Sequence, residues 1–372
     1  MPSSPKSLYV HIPFCDHLCA YCDFCKVLYR PSWAEDYLTA LDRELFFYSS
    51  HRFDTIYLGG GTPSCLPLPQ LCHVLTSCSL LLSSHPEFTL EANPESFDLE
   101  KAKACAKHGV NRISFGVQSS QDKFLDLLGR KHTFDEAKKA VEIARSAGID
   151  DINVDLMYAL PGETMEDLEK DIDAFLSLNV PHISTYSLIL EEGTAFHNQE
   201  IKEASEDLQA DMYERILFRL RNAGYRRYEV SNFAKPGLES RHNQTYWKDQ
   251  EYVGIGLGAS GYENGIRYTK QKNLTAYLKN PTLRKEEEKV SLKEDRSYYL
   301  LCNLRLEEGF SLGEFENRFS IDFFSCYPSA RKKISEGLLK KDGGRIACTD
   351  KGMLLMDAVL VDLSMDEESV SC

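Results

Sequence analysis

Runs of strand-forming residues alternate with amphipathic helical segments through the first 235 residues, and this alternation constrains the fold more than any other feature. Several runs are continuously rich in Val, Ile and Leu, as is typical of parallel strands covered on both faces. The pattern predicts an α/β fold, either a full or partial barrel of six or seven βα units or a doubly wound sheet. The predicted strands span residues 7–13, 54–61, 87–94, 111–118, 151–161 and 182–190, with a weaker seventh over 225–233.

The pattern changes after about residue 235, which divides the chain. Residues 1–235 form the predicted core, and residues 236–290 a connecting segment with a Gly-rich stretch and the charged run RKEEEK. Over residues 291–363, helical patterns surround a Gly-Gly hairpin, which predicts a small, mostly α, winged-helix-like domain. The polar residues 364–372 are expected to be a disordered tail.

Four of the twelve cysteines lie within residues 15–25. Cys15, Cys19 and Cys22 form a C-x-x-x-C-x-x-C pattern directly after the first predicted strand. Thiolates at this spacing can bind three irons of a [4Fe–4S] cluster and leave the fourth iron open. Zinc is the alternative, because Cys19/Cys22 and Cys22/Cys25 each form a C-x-x-C step. The other cysteines are scattered, as expected for free thiols in a reducing cytoplasm.

The segment YVHIPFCDHLCAYCDF resembles the signature of the radical S-adenosylmethionine (SAM) superfamily, in its anaerobic coproporphyrinogen-III-oxidase-like family. The resemblance extends over nearly the whole chain and implies a partial (β/α)6–7 barrel with a smaller C-terminal domain. Further motifs that carry it are GGGTPS (59–64), EANPE (91–95), RISFGVQS (112–119), LGRKHT (128–133), DINVDLMYALPGET (151–164) and RHNQTYW (241–247).

The resemblance implies a role for each matching residue. Cys15, Cys19 and Cys22 would ligate the [4Fe–4S] cluster, while SAM would bind the open iron. Cys25 has no counterpart in the pattern, and we interpret it as a spare thiol. The implied SAM contacts are Tyr9, Gly60, Gly61, Thr62, Glu91, Gln118, Arg130 and Asp155. No catalytic residue is assigned beyond the cluster and SAM, and whether SAM is cleaved stays open.

Two functions are compatible with this family: a haem chaperone, and an oxygen-independent coproporphyrinogen III dehydrogenase. Phe24 stands where the dehydrogenases have a further cysteine, and we expect their longer N-terminal segment to be absent before Cys15. The HNxxYW motif favours the chaperone, because imidazole is a common haem ligand. His242 would be that ligand, with Tyr246 and Trp247 as flat contacts for the porphyrin, although such a histidine is otherwise more often a capping or surface residue.

The net charge of −14 argues against nucleic-acid binding, because phosphate contacts need clustered Lys and Arg. It also disfavours nonspecific capture of an anionic porphyrin. No targeting segment or run of about 18 apolar residues is present, so we expect a cytoplasmic protein without an integral membrane segment. The expected partners are haem, haem-acceptor proteins and, if SAM is cleaved, an electron donor.

Overall fold

The secondary structure comes from a computed structural model that describes residues 5–199 and 201–369. Two 3₁₀ turns lie at Pro63–Cys65 and Pro94–Ser96. The strands are β1 (Ser7–Ile12), β2 (Phe14–Cys15), β3 (Val27–Leu28), β4 (Phe53–Gly60), β5 (Leu82–Ala92), β6 (Arg112–Gln118), β7 (Asp151–Tyr158), β8 (His182–Ser187), β9 (Arg226–Arg227), β10 (Asn232–Ala234), β11 (Val253–Ile255), β12 (Ser260–Glu263), β13 (Ile266–Lys270), β14 (Arg284–Lys289), β15 (Phe310–Ser311), β16 (Leu339–Asp342) and β17 (Arg345–Cys348). The helices are α1 (Pro31–Phe46), α2 (Leu68–Ser79), α3 (Leu99–Lys107), α4 (Asp122–Leu128), α5 (Phe134–Ser146), α6 (Met165–Ser177), α7 (Ala195–Asn198), α8 (Glu206–Asn222), α9 (Arg241–Trp247), α10 (Leu274–Lys279), α11 (Leu292–Asn303), α12 (Leu312–Phe319), α13 (Phe323–Cys326), α14 (Ser329–Ser335), α15 (Asp350–Leu354) and α16 (Met356–Ser369).

A largely parallel sheet organises the N-terminal part of the chain. In the described residues its strand order is β11-β1-β4-β5-β6-β7-β8-β10-β9. Each neighbouring pair from β11 to β8 is parallel. From β1 to β8 these strands are added in chain order, without the reversal that defines a doubly wound sheet. The order is linear rather than circular, so the predicted partial α/β barrel is confirmed.

The two faces of this sheet differ in polarity. Leu8, Val10 and Ile12 of β1 belong to the apolar core together with alternate residues of β4 to β7. Because successive side chains of a strand point to opposite faces, the intervening residues line the other face. These are mostly polar, yet several of them are buried, so the strands are covered on both faces as expected, and only one of the two faces is apolar. The residues are Tyr9, His11, Thr55, Tyr57, Glu91, Ser114, Asn153 and Asp155.

Capping boxes begin two of the helices in the N-terminal part of the chain. Thr133 and Glu136 form a capping box at the start of α5, and Thr164 and Asp167 form another at α6. Each box satisfies backbone N–H groups that the first turn of a helix leaves unpaired. The first box fixes where the connection between α4 and α5 ends, and the second fixes where the loop after β7 ends.

The sequence-based division of the chain needs two corrections near its middle. The predicted strand over 225–233 is two short strands, β9 and β10, because the backbone turns between them, where Asn232 N donates to Glu229 O. Residues 236–290 are more than a connection, because they supply β11, which pairs with β1 at the edge of the sheet. A three-residue strand of sequence Val-Gly-Ile is too short to produce a recognisable pattern.

The chain separates into two compact units. The first comprises the described residues up to Arg226, Phe233–His242 and Glu251–Glu288, and the second comprises Arg227–Asn232, Asn243–Gln250 and the described residues from Lys289. The charged run RKEEEK is not a loop but the mostly exposed strand β14, in a sheet of order β12-β13-β14.

Helices around a small antiparallel sheet of order β15-β17-β16 make up the core of the second unit. The β16–β17 hairpin turns at Gly343 and Gly344, which both have positive φ, as the Gly-Gly pattern predicted. The prediction of disorder from residue 364 is wrong for residues 364–369, which continue α16. The last three positions of the predicted tail, 370–372, lie outside the described residues.

Candidate functional site

The cysteine-rich segment forms a loop closed at its base by β2 and β3. These strands pair in parallel, and Tyr29 N donates to Cys15 O at 2.9 Å. The loop therefore begins and ends beside the carboxyl end of β1, where the parallel strands of an α/β barrel present their functional residues. Cys15, Cys19 and Cys22 are free thiols that line one cavity.

The same cavity is lined by seven of the eight residues expected to contact SAM, and by Phe24. They come from the ends of β4 to β7 and from the loop after α4. In the described residues, no three His, Cys, Asp or Glu side chains converge as the ligands of one metal ion do. In a [4Fe–4S] cluster, by contrast, each cysteine binds a different iron. The seven SAM-site residues are Gly60, Gly61, Thr62, Glu91, Gln118, Arg130 and Asp155.

Tyr9 lies behind the cavity rather than in its lining. Its ring stacks on Tyr57, and its hydroxyl lies 2.9 Å from His11 Nδ1. Burial lowers the pKa of His11 to about 4, so its imidazole is neutral. Its Nε2 is 2.7 Å from the Cys25 carbonyl oxygen, which can only accept, so Nε2 carries the proton and Nδ1 accepts from Tyr9. Tyr9 therefore acts on the cysteine loop through His11.

The thiols at this site have different electrostatic surroundings. Burial raises the pKa of Cys15 to about 11, although the Thr62 hydroxyl donates to its sulfur. Burial also raises the pKa of Cys19, but hydrogen bonds from His17 and Arg130 outweigh it, and the pKa lies below its usual value. Thiolate is the form that binds metal, so Cys19 is the thiol best prepared for ligation.

Two carboxyl groups line the cavity wall. Glu91 accepts from Tyr57 OH at 2.7 Å and from Gly60 N at 3.0 Å, and burial raises its pKa to about 7. Asp155 accepts from Asn153 Nδ2 at 2.7 Å, and burial raises its pKa to about 6. Both groups can change protonation near neutral pH, and both can accept hydrogen bonds from amino or hydroxyl groups of a ligand.

Close packing requires small or strained residues in two parts of the wall. A Cβ at Gly61 would lie 2.6 Å from Phe14 O and 3.0 Å from Cys15 Sγ, so only glycine allows this approach to the cysteine loop. Gln118 has a positive φ of 72°, next to a register shift between β6 and β7. Such a conformation costs about 1–3 kcal/mol and is concentrated at functional sites.

Arg130 is 7% exposed and holds together several parts of the site. Its Nη2 donates to Asn93 Oδ1 at 2.8 Å and to Gly116 O, and its Nη1 donates to Cys19 Sγ at 3.6 Å. Its buried Nε has no hydrogen-bond partner among the described residues. An unpaired buried donor is costly. The side chain therefore fits a site that receives an anionic ligand group.

Cys25 does not line the cavity. Its Sγ lies 3.7 Å from Lys272 O, and a Cβ at Gly258 would be only 2.8 Å from Cys25 Cβ. The thiol therefore packs against the loop after β11. This placement agrees with the interpretation of Cys25 as a spare thiol.

The HNxxYW segment forms α9, and its histidine points inward. His242 is 1% exposed, its Nδ1 lies 2.7 Å from Thr55 Oγ1, and its ring stacks on Tyr57 at 5.1 Å. Burial lowers its pKa to about 3. Tyr246 and Trp247 are partly exposed and belong to the second unit. In this conformation an iron atom has no open path to the His242 ring.

Sequence reasoning missed Asn93, although it lies in the EANPE motif. Asn93 Oδ1 accepts from Arg130, and its Nδ2 donates to Thr62 Oγ1 at 3.4 Å. His17, Tyr21 and Ser114 also line the cavity without having been predicted. The signal that could have identified Asn93 is its position directly after β5, the strand that carries Glu91.

Residues 9–175 match the radical SAM superfamily, and residues 290–355 match the HemN C-terminal domain. The haem chaperone HemW of Lactococcus lactis is 43% identical over 99% of both chains. HemW of Bacillus subtilis is 36% identical over 95% of this chain and 98% of the relative, and HemW of Escherichia coli is 32% identical over 96% and 97%.

Among solved structures, coproporphyrinogen III oxidase (HemN) from Escherichia coli, a radical SAM enzyme, matches with a TM-score of 0.83. The match covers 99% of this chain and 91% of that chain at 23% identity, and at this identity it shows the fold alone. Across the described residues, every helix is too short or too polar to span a lipid bilayer.

Proposed function

The chain belongs to the HemW family of the radical SAM superfamily, and from this premise we propose that it is a haem chaperone, which binds haem and transfers it to acceptor proteins. The relatives that carry this name match nearly the full length of the chain. Phe24, at the position where the dehydrogenases have a further cysteine, supports the same choice. The proposal includes haem-acceptor proteins, a cytoplasmic location and, if SAM is cleaved, an electron donor.

A [4Fe–4S] cluster and SAM are its proposed cofactors. The observation that supports them is the presence of three thiols from one short loop on the wall of a single cavity. Cys15, Cys19 and Cys22 would hold the cluster. When bound, the cluster and SAM supply one-electron chemistry at the SAM sulfonium.

The polar residues of the wall have complementary roles toward SAM. The unpaired Nε of Arg130 is suited to a carboxylate, and the carboxyl groups of Glu91 and Asp155 are suited to amino and hydroxyl groups. Gly60 and Gly61 let the backbone come close, and Gln118 is held in place by its strained backbone. Thr62 adds a hydroxyl, and Tyr9 supports the loop from behind.

The HNxxYW segment is the proposed haem-binding region. Tyr246 and Trp247 are partly exposed and offer flat apolar faces. Ligation of iron by His242 would require α9 to move away from Thr55, because the ring is enclosed. An acidic chain gives no general attraction for a porphyrin with two carboxylates, so binding depends on local contacts.

One experiment on a single sample tests the function. The full chain is reconstituted anaerobically with iron and sulfide, titrated with haem, and then incubated with SAM, a reductant and coproporphyrinogen III. We expect a cluster absorbance, a saturable shift of the Soret band and no protoporphyrinogen. Rapid formation of protoporphyrinogen would reject the chaperone proposal in favour of the dehydrogenase. Stoichiometric zinc without a cluster would reject both.

A further inference from the structure

Two of the three proposed cluster ligands receive hydrogen bonds on sulfur. Thr62 Oγ1 donates to Cys15 Sγ at 3.7 Å, and Arg130 Nη1 donates to Cys19 Sγ at 3.6 Å. Among the described residues, no side-chain donor reaches the sulfur of Cys22. The sulfur atoms are therefore not equivalent. Besides His17 of the cysteine loop itself, which also bonds to Cys19, the donors are Thr62 on the β4 side and Arg130 on the α4 side of the cavity.

A single amide, that of Asn93, links these two donors. Its Nδ2 donates to Thr62 Oγ1 at 3.4 Å, and its Oδ1 accepts from Arg130 Nη2 at 2.8 Å. Because the Thr62 oxygen accepts from Asn93, its own hydrogen is free to point at sulfur. Because Asn93 and Gly116 O hold Nη2, Nη1 of the same planar guanidinium is directed at Cys19.

The backbone around Asn93 fixes the amide. Asn93 N donates to Ser64 Oγ at 3.1 Å, and Thr62 N donates to Phe14 O at 2.7 Å. The amide thus bridges the loop after β4, which carries Thr62, and the loop after α4, which carries Arg130.

Hydrogen bonds to cluster sulfur atoms stabilise the more negatively charged, reduced cluster, and so they raise its reduction potential. The Arg130 cation acts in the same direction. We propose that Asn93 is a positioning residue, which orients Thr62 and Arg130 as sulfur donors and thereby sets the reduction potential of the cluster. This inference rests on the proposed cluster ligation, and it adds a control of the cluster by residues that do not bind iron.

The test is a redox titration of the anaerobically reconstituted full chain, without SAM or haem. The titration is monitored through the electron paramagnetic resonance signal of the reduced cluster. Thr62→Val removes the sulfur donor and keeps the side-chain volume, and Asn93→Leu removes the amide at similar size. We expect both to shift the midpoint potential to more negative values. Thr62→Ser keeps the hydroxyl and should titrate as the wild type does.

A double variant that combines Thr62→Val and Asn93→Leu separates positioning from simple packing. If Asn93 acts through Thr62, the shift in the double variant is smaller than the sum of the two single shifts. An unchanged potential in Thr62→Val with full cluster content would overturn the inference. So would an equal shift in Thr62→Ser, or full additivity of the two changes.

Loss of the cluster would have one meaning in a variant and another in the wild-type chain. If the Thr62→Val variant assembles no cluster, the Thr62→Ala variant takes its place, and its midpoint potential is compared with that of Thr62→Ser. The same outcomes then support or overturn the inference. If the wild-type chain assembles no cluster, the proposed function fails. An intact wild-type cluster with equal potentials in all variants rejects this inference and leaves the proposed function standing.

Discussion

Replacing His242 by alanine distinguishes an enclosed structural histidine from a haem ligand. The imidazole is 1% exposed, bonds to Thr55 and stacks on Tyr57. Removing it leaves the buried Thr55 hydroxyl without that partner, at about 1–3 kcal/mol, and opens a cavity in the packed core, at about 2–4 kcal/mol. We therefore expect His242→Ala to lower the free energy of unfolding by roughly 3–7 kcal/mol.

The assay combines thermal unfolding, followed by circular dichroism, with haem titration at a temperature where both proteins are folded. A loss of this size should lower the melting temperature by about 5–15 °C. The haem affinity and Soret maximum should stay those of the wild type. His85→Ala, at an exposed histidine, is the matched control and should change neither property. An unchanged melting temperature together with a displaced Soret band would refute the reasoning and identify His242 as the ligand.

Three further predictions concern the cysteine loop and its surroundings. Cys19→Ala should abolish cluster absorbance after reconstitution, whereas Cys25→Ala should keep it, because the Cys25 thiol packs against Lys272 O outside the cavity; loss of the cluster in both would contradict the ligand assignment. The pKa of Glu91, raised by burial to about 7 from 4.5, means that the folded state retains a proton that the unfolded state releases. The stabilisation that this proton provides is complete below pH 4.5 and is lost as the pH rises through 7. In urea unfolding, the stability of the wild type relative to Glu91→Gln should therefore fall by on the order of 3 kcal/mol between pH 4.5 and 8. A difference that does not change with pH would argue against a buried neutral carboxyl. Gly258 and Gly265 share a φ of +72°, but a Cβ meets Cys25 only at Gly258; Gly258→Ala should therefore be less stable than Gly265→Ala by about 1–3 kcal/mol in urea unfolding, and equal losses would show that the contact is not constraining.

The order of the strands and the ends of two helices could be predicted from local patterns. The six strong strand predictions correspond to β1 and β4 to β8, because each combines apolar residues with a flanking turn. The capping boxes at Thr133 and Thr164 are local as well, since they involve residues only three positions apart. Such signals depend little on the rest of the chain.

The polar face of the sheet could not be predicted in the same way. The continuous apolar runs indicated strands covered on both faces but not that one covered face is polar. Thr55 and Tyr57 lie between the apolar residues of β4 and bond to His242 and Glu91, respectively. These partners are 187 and 34 residues away in sequence. A hydroxyl whose hydrogen-bond partner is so distant in the sequence cannot be recognised from a local pattern.

The cysteine loop is held in place by contacts with segments that are distant from it in the sequence. Gly256 N donates to the buried carboxylate of Glu44 in α1, and Tyr37 OH accepts from Leu257 N while donating to His11 O. His11 in turn holds the Cys25 carbonyl. Each link involves a buried polar group whose partner would be costly to remove.

It follows that the Gly-rich stretch after β11, which lacks the surroundings of a dinucleotide-binding motif, has a structural task at the other end of the chain. Its glycines at 256 and 258 have positive φ, and side chains there would strike His11 O and Cys25. The loop that carries the proposed ligands is thus supported from behind by residues more than 200 positions later in the sequence. Cluster assembly should therefore require that this edge of the sheet is folded, and spacing of the cysteines alone does not create the site.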